Sequence, residues 1–310
     1  MWNIGLVCNN DKSRIDALEL TLGYCIHGFK DKTDQKSIIF NDQEIDDNPN
    51  GGSGKSLVLT ALNYIRKLIK IDGKAFDPKK SDFVYQRVNL DTQILAFDDV
   101  KKNFNFEQLF SLITEGITVN RKNKDEIFIP FERSPKIIIT TNYVINGVGS
   151  SHERRRHEIE FYQYFNEKRS PLTEYGRLLF DQWNERDWVK FDNYMIANLQ
   201  KFLSNGLVKP ISINAEIKRL IQSTCKEFTD WVDEGNIPLN TTCLNQEYLN
   251  KFINEYPTFR DLNSRKFCKW VKEWSIYKGY YYNSSNSHKG RYFNITQEEV
   301  QELVNDEMPF

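Results

Sequence analysis

Gly51-Gly52-Ser53-Gly54-Lys55-Ser56 stands between an apolar strand candidate, Ile38-Ile39-Phe40, and a helical run beginning at Lys55. That order constrains the fold more than any other feature of the chain. Glycines let a backbone curl until its N–H groups converge on phosphate oxygens, and the helix that follows turns its positive end to the same charge. In such a loop Lys55 reaches the β/γ-phosphates and the Ser56 hydroxyl serves Mg²⁺, with Gly51, Gly52, Ser53 and Gly54 forming the cradle. Two departures are visible. The pattern GxxxxGK[ST] has glycine where Pro49 stands, and the acidic stretch Glu44-Ile45-Asp46-Asp47 separates the loop from its strand. Read alone, the segment is also compatible with a glycine-rich surface turn before a lysine.

A second element bears on that choice. Ile94-Leu95-Ala96-Phe97-Asp98-Asp99 reads as an apolar strand ending in two carboxylates, which suits a nucleotide hydrolase: Asp98 as Mg²⁺ ligand, Asp99 to orient or deprotonate the attacking water. A third apolar run, Ile137 to Thr140, ends at Asn142, an amide able to position that water or sense the γ-phosphate. Residues 13 to 30 and 106 to 115 read as helical, as does Lys55 to about Ile71, and Phe83 to Val88 reads as extended. Strands alternating with helices imply a mostly parallel sheet covered on both faces. Thr118 to Phe131 interrupts the alternation as a hairpin around the basic turn Arg121-Lys122-Asn123-Lys124. Ser170-Pro171 is an N-cap with proline at the first helical position, and the sequence reads as helical from there through Leu203. Ser204 to Pro210 punctuates the chain, giving a helical preface over 1–35, a core over 36–207 and a separate domain over 211–310.

Composition narrows the class. At 310 residues the chain is long for one domain, and 39% hydrophobic with 27% charged residues describes a folded globular protein. Forty-two basic against forty-three acidic residues give a net charge of -1, so any attraction to nucleic acid is local. Cys8, Cys25, Cys225, Cys243 and Cys268 are odd in number and lack CxxC spacing, the mark of free buried thiols in a reducing compartment, and with four histidines they make no zinc pattern. The first residues lack the parts of a signal peptide and no apolar run could span a bilayer. The sequence therefore predicts a cytoplasmic protein with no membrane partner.

Taken in order, Gly-Gly-Ser-Gly-Lys-Ser, Phe-Asp-Asp, the basic hairpin, Ile-Ile-Ile-Thr-Thr-Asn and Glu153-Arg154-Arg155-Arg156-His157-Glu158-Ile159-Glu160-Phe161 resemble superfamily 3 helicases, especially the C-terminal motor of phage and plasmid primase-helicases. The resemblance runs from about Leu20 to Leu207. It implies an AAA+-like α/β core that binds ATP with Mg²⁺ between subunits of a ring, usually a hexamer, and moves on single-stranded DNA. By the same resemblance Arg121, Lys122 and Lys124 line the channel, and Arg154 or Arg155 reaches the neighbour's γ-phosphate as a finger. It also implies a primase domain or subunit as partner, because no primase site is recognisable in the chain.

Residues 211 to 310 carry a different pattern. A helix around Tyr248 to Ile253 precedes a second from Ser264 to about Ser275, in which Phe267, Trp270, Val271 and Trp274 form an apolar stripe. Arg265, Lys269 and Lys272 fall on another face. A hairpin from Gly279 to Ile295 follows. Helix, helix, hairpin predicts a small α+β winged-helix-like domain, either binding DNA through the second helix or packing against a partner. Two other classes remain open on the sequence: an ATP-switched origin-binding replication protein without strand separation, and a P-loop kinase of small molecules, which leaves the hairpin and basic helix unexplained.

Overall fold

Asp11 opens the first helix by accepting the Arg14 backbone N–H at 3.0 Å, and α1 runs Lys12–Ile26. A computed structural model describes residues 3–43, 52–102, 104–145, 147, 149–166, 168–210, 215–288 and 290–297. Pro49, Asn50, Gly51 and the stretch Glu44 to Asp47 lie outside the described residues. After α1 come β1 (Ser37–Asp42), α2 (Lys55–Ile65), β2 (Leu68–Asp72), β3 (Ile94–Val100) and α3 (Phe110–Thr114). The hairpin β4 (Gly116–Arg121) and β5 (Lys124–Pro130) is followed by β6 (Lys136–Thr141), α4 (Ser150–Glu153), β7 (Arg156–Phe161), α5 (Pro171–Tyr175) and α6 (Glu185–Asn205). These elements make up one compact unit, Met1–Asn214.

Its sheet has the order β2-β3-β6-β1-β7, with every pairing parallel. Strands covered on both faces must be apolar almost throughout, and β1 and β6 are buried at every residue. Side chains alternate between two cores, as the period of a strand requires. Ile38, Phe40, Ile94, Ala96 and Ile138 join α1, α2 and α6 on one face. Ile39, Leu95, Phe97, Ile137 and Ile139 join Phe76, α3 and the β4–β5 hairpin on the other. The result is a three-layer α/β core of the P-loop type.

Three expectations are corrected. The helix from Lys55 stops at Ile65, and Leu68–Asp72 is the edge strand β2; β-branched Ile69 and Ile71 suit a strand, and parallel pairing with β3 supplies the hydrogen bonds the helix would have made. Phe83 to Val88 forms turns instead of a strand; Val88 is buried and Tyr85 packs 6.1 Å from the Phe76 ring, so core contacts fix it without a sheet partner. The helical run from Pro171 breaks at Gly176, which has φ 65°, and resumes at Glu185 under a capping box between Asn184 and Asp187.

Helix α6 lies close on α1. Lys201 bridges Asp16 and Glu19 at 2.5 and 2.7 Å, and at Gly23 a Cβ would collide with the Asn198 carbonyl, so only glycine permits this approach. Beneath α1, His157 of β7 is buried with its Nε2 2.9 Å from the Thr21 hydroxyl. Burial, assisted by Lys36, pushes its pKa from 6.5 down to about 4. The folded state thus binds fewer protons than the unfolded one between those values, so stability is full above pH 6.5 and falls as pH drops towards 4. The shift corresponds to about 3 kcal/mol at the acid end. We expect denaturant titrations at pH 7, 5 and 4 to show a shallower acid loss in His157→Gln than in the parent; equal slopes would remove His157 as a cause.

The second unit, Ala215–Phe310, contains α7 (Ala215–Ser223), α8 (Lys226–Trp231), β8 (Cys243–Leu244), α9 (Asn245–Glu255), α10 (Ser264–Tyr277), β9 (Tyr281–Ser287) and β10 (Gly290–Thr296). Its sheet runs β8-β10-β9, antiparallel. The stripe Phe267, Trp270, Val271 and Trp274 is buried against Phe228, Trp231, Phe252 and Phe293. Helices, a short strand, two helices and a hairpin returning to pair that strand give winged-helix topology.

Candidate functional site

Parallel strands end on one side of a sheet, so the C-terminal ends of β3, β6 and β1 bring three sequence motifs together. Lys55, in the first turn of α2, is buried. Its ammonium donates to Asn142 Oδ1 after β6 at 2.8 Å, to the Ser53 hydroxyl at 3.0 Å and to Asp42 Oδ1 at the end of β1 at 2.5 Å. Burial pushes the Lys55 pKa down, and Asp42 is the main opposing influence. An ammonium with only 9% of its side chain exposed needs such a carboxylate. Asp42 is a site residue that sequence reasoning missed, because an acid seven residues before Pro49 falls outside the loop pattern.

The paired acids depend on a distortion of β3. Register slips between Phe97 and Val100, and Asp99 sits at φ 58°, a left-handed conformation unfavourable for a non-glycine residue. In a regular strand Asp98 and Asp99 would face opposite sides. Here both face β6: Thr140 donates its hydroxyl to Asp98 Oδ1 at 2.6 Å and accepts the Asp99 backbone N–H at 2.7 Å, while Asn142 Nδ2 stands 3.4 Å from Asp99 Oδ1. Lys70 of β2 lies 3.7 Å from Asp98, and Lys74 pairs with Asp99 at 2.5 Å. Thr140, Lys70 and Lys74 were also missed, the lysines because the run to Ile71 read as helix.

Among the loop residues, Gly52 and Gly54 take φ 81° and 100°, conformations open to glycine and costly to other residues. Gly54 caps α2 without a side-chain hydrogen bond, which leaves the helix end able to receive an anion. Ser53 is buried and Ser56 exposed, while Gly51 lies outside the described residues. A magnesium ion in a phosphate site needs one or two carboxylates, the remaining ligands being phosphate oxygens and water. Asp98 and Asp99 fit that need, and among the described residues no group of three or more His, Cys, Asp or Glu could hold a metal by itself.

Comparison with known proteins adds the following. A family model described as a family of unknown function, DUF5906, matches residues 48–156. Two apo structures of the NrS-1 C-terminal region are similar to the chain at 15% and 17% identity, covering 94% of this chain and 73% of theirs, with TM-scores of 0.44 and 0.43. JCV helicase is similar at 16% identity over 64% of this chain and 51% of its own, with a TM-score of 0.36. No curated protein matches.

The arginine cluster stands apart from the phosphate loop. Arg156 pairs in register with Ser37 at the start of β1, so the arginine cluster occupies the opposite end of the sheet, roughly 20 Å away at about 3.3 Å per residue. Arg156 is held by His152 Nδ1 at 2.9 Å and the Phe106 ring at 4.9 Å. Arg155 lies 4.5 Å from the Phe110 ring and donates to the Ser151 carbonyl. Arg154 is exposed; its backbone N–H donates to the Ser150 carbonyl at 3.1 Å, and its guanidinium has no hydrogen-bond or ion-pair partner among the described residues. In the hairpin, Arg121 is tied to Asn89 Oδ1 at 2.6 Å and the Val88 carbonyl at 3.1 Å, whereas Lys122 and Lys124 are exposed at the tip. Arg265, Lys269 and Lys272 form an exposed row on α10. Among the described residues, no helix is long and apolar enough to cross a membrane.

Proposed function

We propose that the chain is an ATP-hydrolysing motor that moves on, or unwinds, DNA during phage or plasmid replication, working as a homo-oligomeric ring, a hexamer, beside a primase domain or subunit. The observation that carries this reading is the meeting of Lys55, in the first turn of α2, with Asn142 after β6 and with Asp98 and Asp99 of β3. Lys55 and the end of α2 bind phosphate charge, Asn142 orients water between Lys55 and Asp99, and Asp99 takes up its proton. Mg²⁺, when bound through Asp98 and Ser56, neutralises phosphate oxygens. The exposed Lys122 and Lys124 contact the backbone of single-stranded DNA, which gives affinity without base specificity.

The test is ATP turnover and strand displacement by the purified chain. We expect Mg²⁺-dependent ATPase stimulated by single-stranded DNA, and displacement of an annealed strand. Lys122→Ala/Lys124→Ala should weaken single-stranded DNA binding, reduce its salt slope by about one to two, and leave DNA-free ATPase intact. Unchanged affinity and slope would take the hairpin out of the DNA path. A second reading is favoured by the winged-helix topology and the exposed Arg265, Lys269 and Lys272: an origin-binding protein that uses ATP as an assembly switch. Slow turnover without strand displacement, together with duplex binding lost in Lys269→Ala/Lys272→Ala, would support it over the first.

A further inference from the structure

At the end of the sheet opposite the phosphate loop, where β2, β3 and β6 begin, lies a cavity of about 500 Å³. Five cations line it: Lys30, Arg66, Lys67, Arg133 and Lys136. The two carboxylates in its wall are already engaged by lysines, Asp91 by Lys67 at 2.5 Å and Glu132 by Lys32 at 2.6 Å. On the far side of Lys30 and Lys136, Asp34 is bonded to Lys36 and Asp31 to Thr33.

Three of these cations are bonded, among the described residues, only to neutral acceptors. Lys136, 4% exposed, donates to the Tyr24 carbonyl and stands 3.9 Å from the Tyr24 ring centre. Lys30 donates to the Ser134 hydroxyl at 2.7 Å and stands 4.2 Å from the Phe131 ring centre. Arg66 donates to the Ile26 carbonyl, from Nε at 2.7 Å. Buried cations ordinarily sit against carboxylates, because a neutral acceptor returns only part of the lost hydration. Here the uncompensated burial pushes the pKa of both Lys30 and Lys136 down to about 8, Lys30 and Arg66 adding to the effect on Lys136 and Glu132 opposing it on Lys30.

We propose that this cavity is a second anion site, separate from the nucleotide site, which binds a phosphate-bearing ligand among Lys30, Arg66 and Lys136. Two ammonium groups and a guanidinium suit tetrahedral phosphate, to which lysine acts as a point charge and arginine as a planar fork. The volume lies in the range of small-ligand sites and exceeds what one phosphate group fills, so a pyrophosphate or a nucleotide has room. The phosphate could equally be a link in a nucleic-acid strand, and the test separates the two sources.

Calorimetric titration of the full chain with inorganic pyrophosphate is expected to show two sites. Lys55→Ala/Asp42→Asn should remove one of them, and Lys136→Met should weaken the other at least tenfold. Lys136→Arg should restore it in large part. Arg66→Gln, at the half-exposed rim, provides the same reading should Lys136→Met not fold. Displacement of pyrophosphate from this site by a short oligothymidylate assigns the phosphate to a nucleic-acid strand, and its absence assigns it to a free ligand. A single binding event that disappears with Lys55, or a second event unchanged in Lys136→Met or Arg66→Gln, overturns the proposal. Because the readout is binding alone, its failure leaves the ATPase reading untouched.

Discussion

Lys55→Ala is expected to reduce ATP turnover by at least ~100-fold, the scale for removing one preorganised charge from a transition-state clamp, and also to destabilise the fold. The second effect comes from Asp42. Its side chain is 6% exposed and 2.5 Å from the lysine, so the substitution takes the cation away from a buried carboxylate, at a cost of up to roughly 3–5 kcal/mol. Loss of activity in Lys55→Ala alone would therefore confuse chemistry with unfolding. Lys55→Ala/Asp42→Asn separates them, because a neutral amide in place of the carboxylate needs no cation. Thermal or denaturant melting should return most of the way to the parent in the double variant, while turnover stays lost. Asp98→Asn should behave differently, binding nucleotide but hydrolysing it poorly, since it weakens the proposed metal ligand and leaves the phosphate cradle intact. Recovery of turnover in the double variant would remove Lys55 from the reaction.

How far such a site can be read from sequence depends on where each residue's signal resides. Asp98 and Asn142 each stand at the end of a short apolar run, and a buried parallel strand must be a short apolar run, so strand end and functional residue are marked together; Lys55 is marked instead by the glycines before it. The three-layer core and the stripe on α10 are legible for the same reason. Asp42 is different: nothing local marks it, and its importance arises only when β1 is threaded between β6 and β7 and its end meets α2. Lys70 and Lys74 were hidden by an apolar run whose spacing fits either a helix or a strand; pairing with β3 decides that ambiguity, and periodicity cannot. The distortion at Asp99 is also invisible in sequence, since aspartate gives no sign of a left-handed backbone. Arg121 shows the reverse case. It belongs to a basic turn by composition, yet Val88 and Asn89 hold its guanidinium, leaving Lys122 and Lys124 as the exposed charges.

The arginine cluster leads to the last expected result. Arg154, exposed and with no partner for its guanidinium among the described residues, lies at the starts of the strands, while the phosphate loop lies at their ends. A fully extended arginine side chain is far shorter than the intervening strand length of roughly 20 Å, so Arg154 cannot serve the loop of its own subunit. A role in hydrolysis must therefore be played in trans, on nucleotide held by a neighbour. Arg155 is the weaker choice because its guanidinium stacks on Phe110, and Arg156 is tied to His152. We expect Arg154→Ala to fold and bind ATP as the parent does, with turnover lowered by about a thousandfold, the scale of an arginine finger. ATPase per subunit of the parent should rise steeply with protein concentration as the site becomes complete between subunits. Mixing Arg154→Ala with Lys55→Ala/Asp42→Asn offers the direct measurement. In a mixed ring, some interfaces join the intact loop of one variant to the intact arginine of the other, and activity should return at those interfaces alone. With equal amounts of the two variants and random assembly, about a quarter of the interfaces carry both intact partners, so recovery should approach a quarter of parental turnover if each finger contributes its full effect. If mixed rings form and no activity returns, Arg154 does not act across the interface.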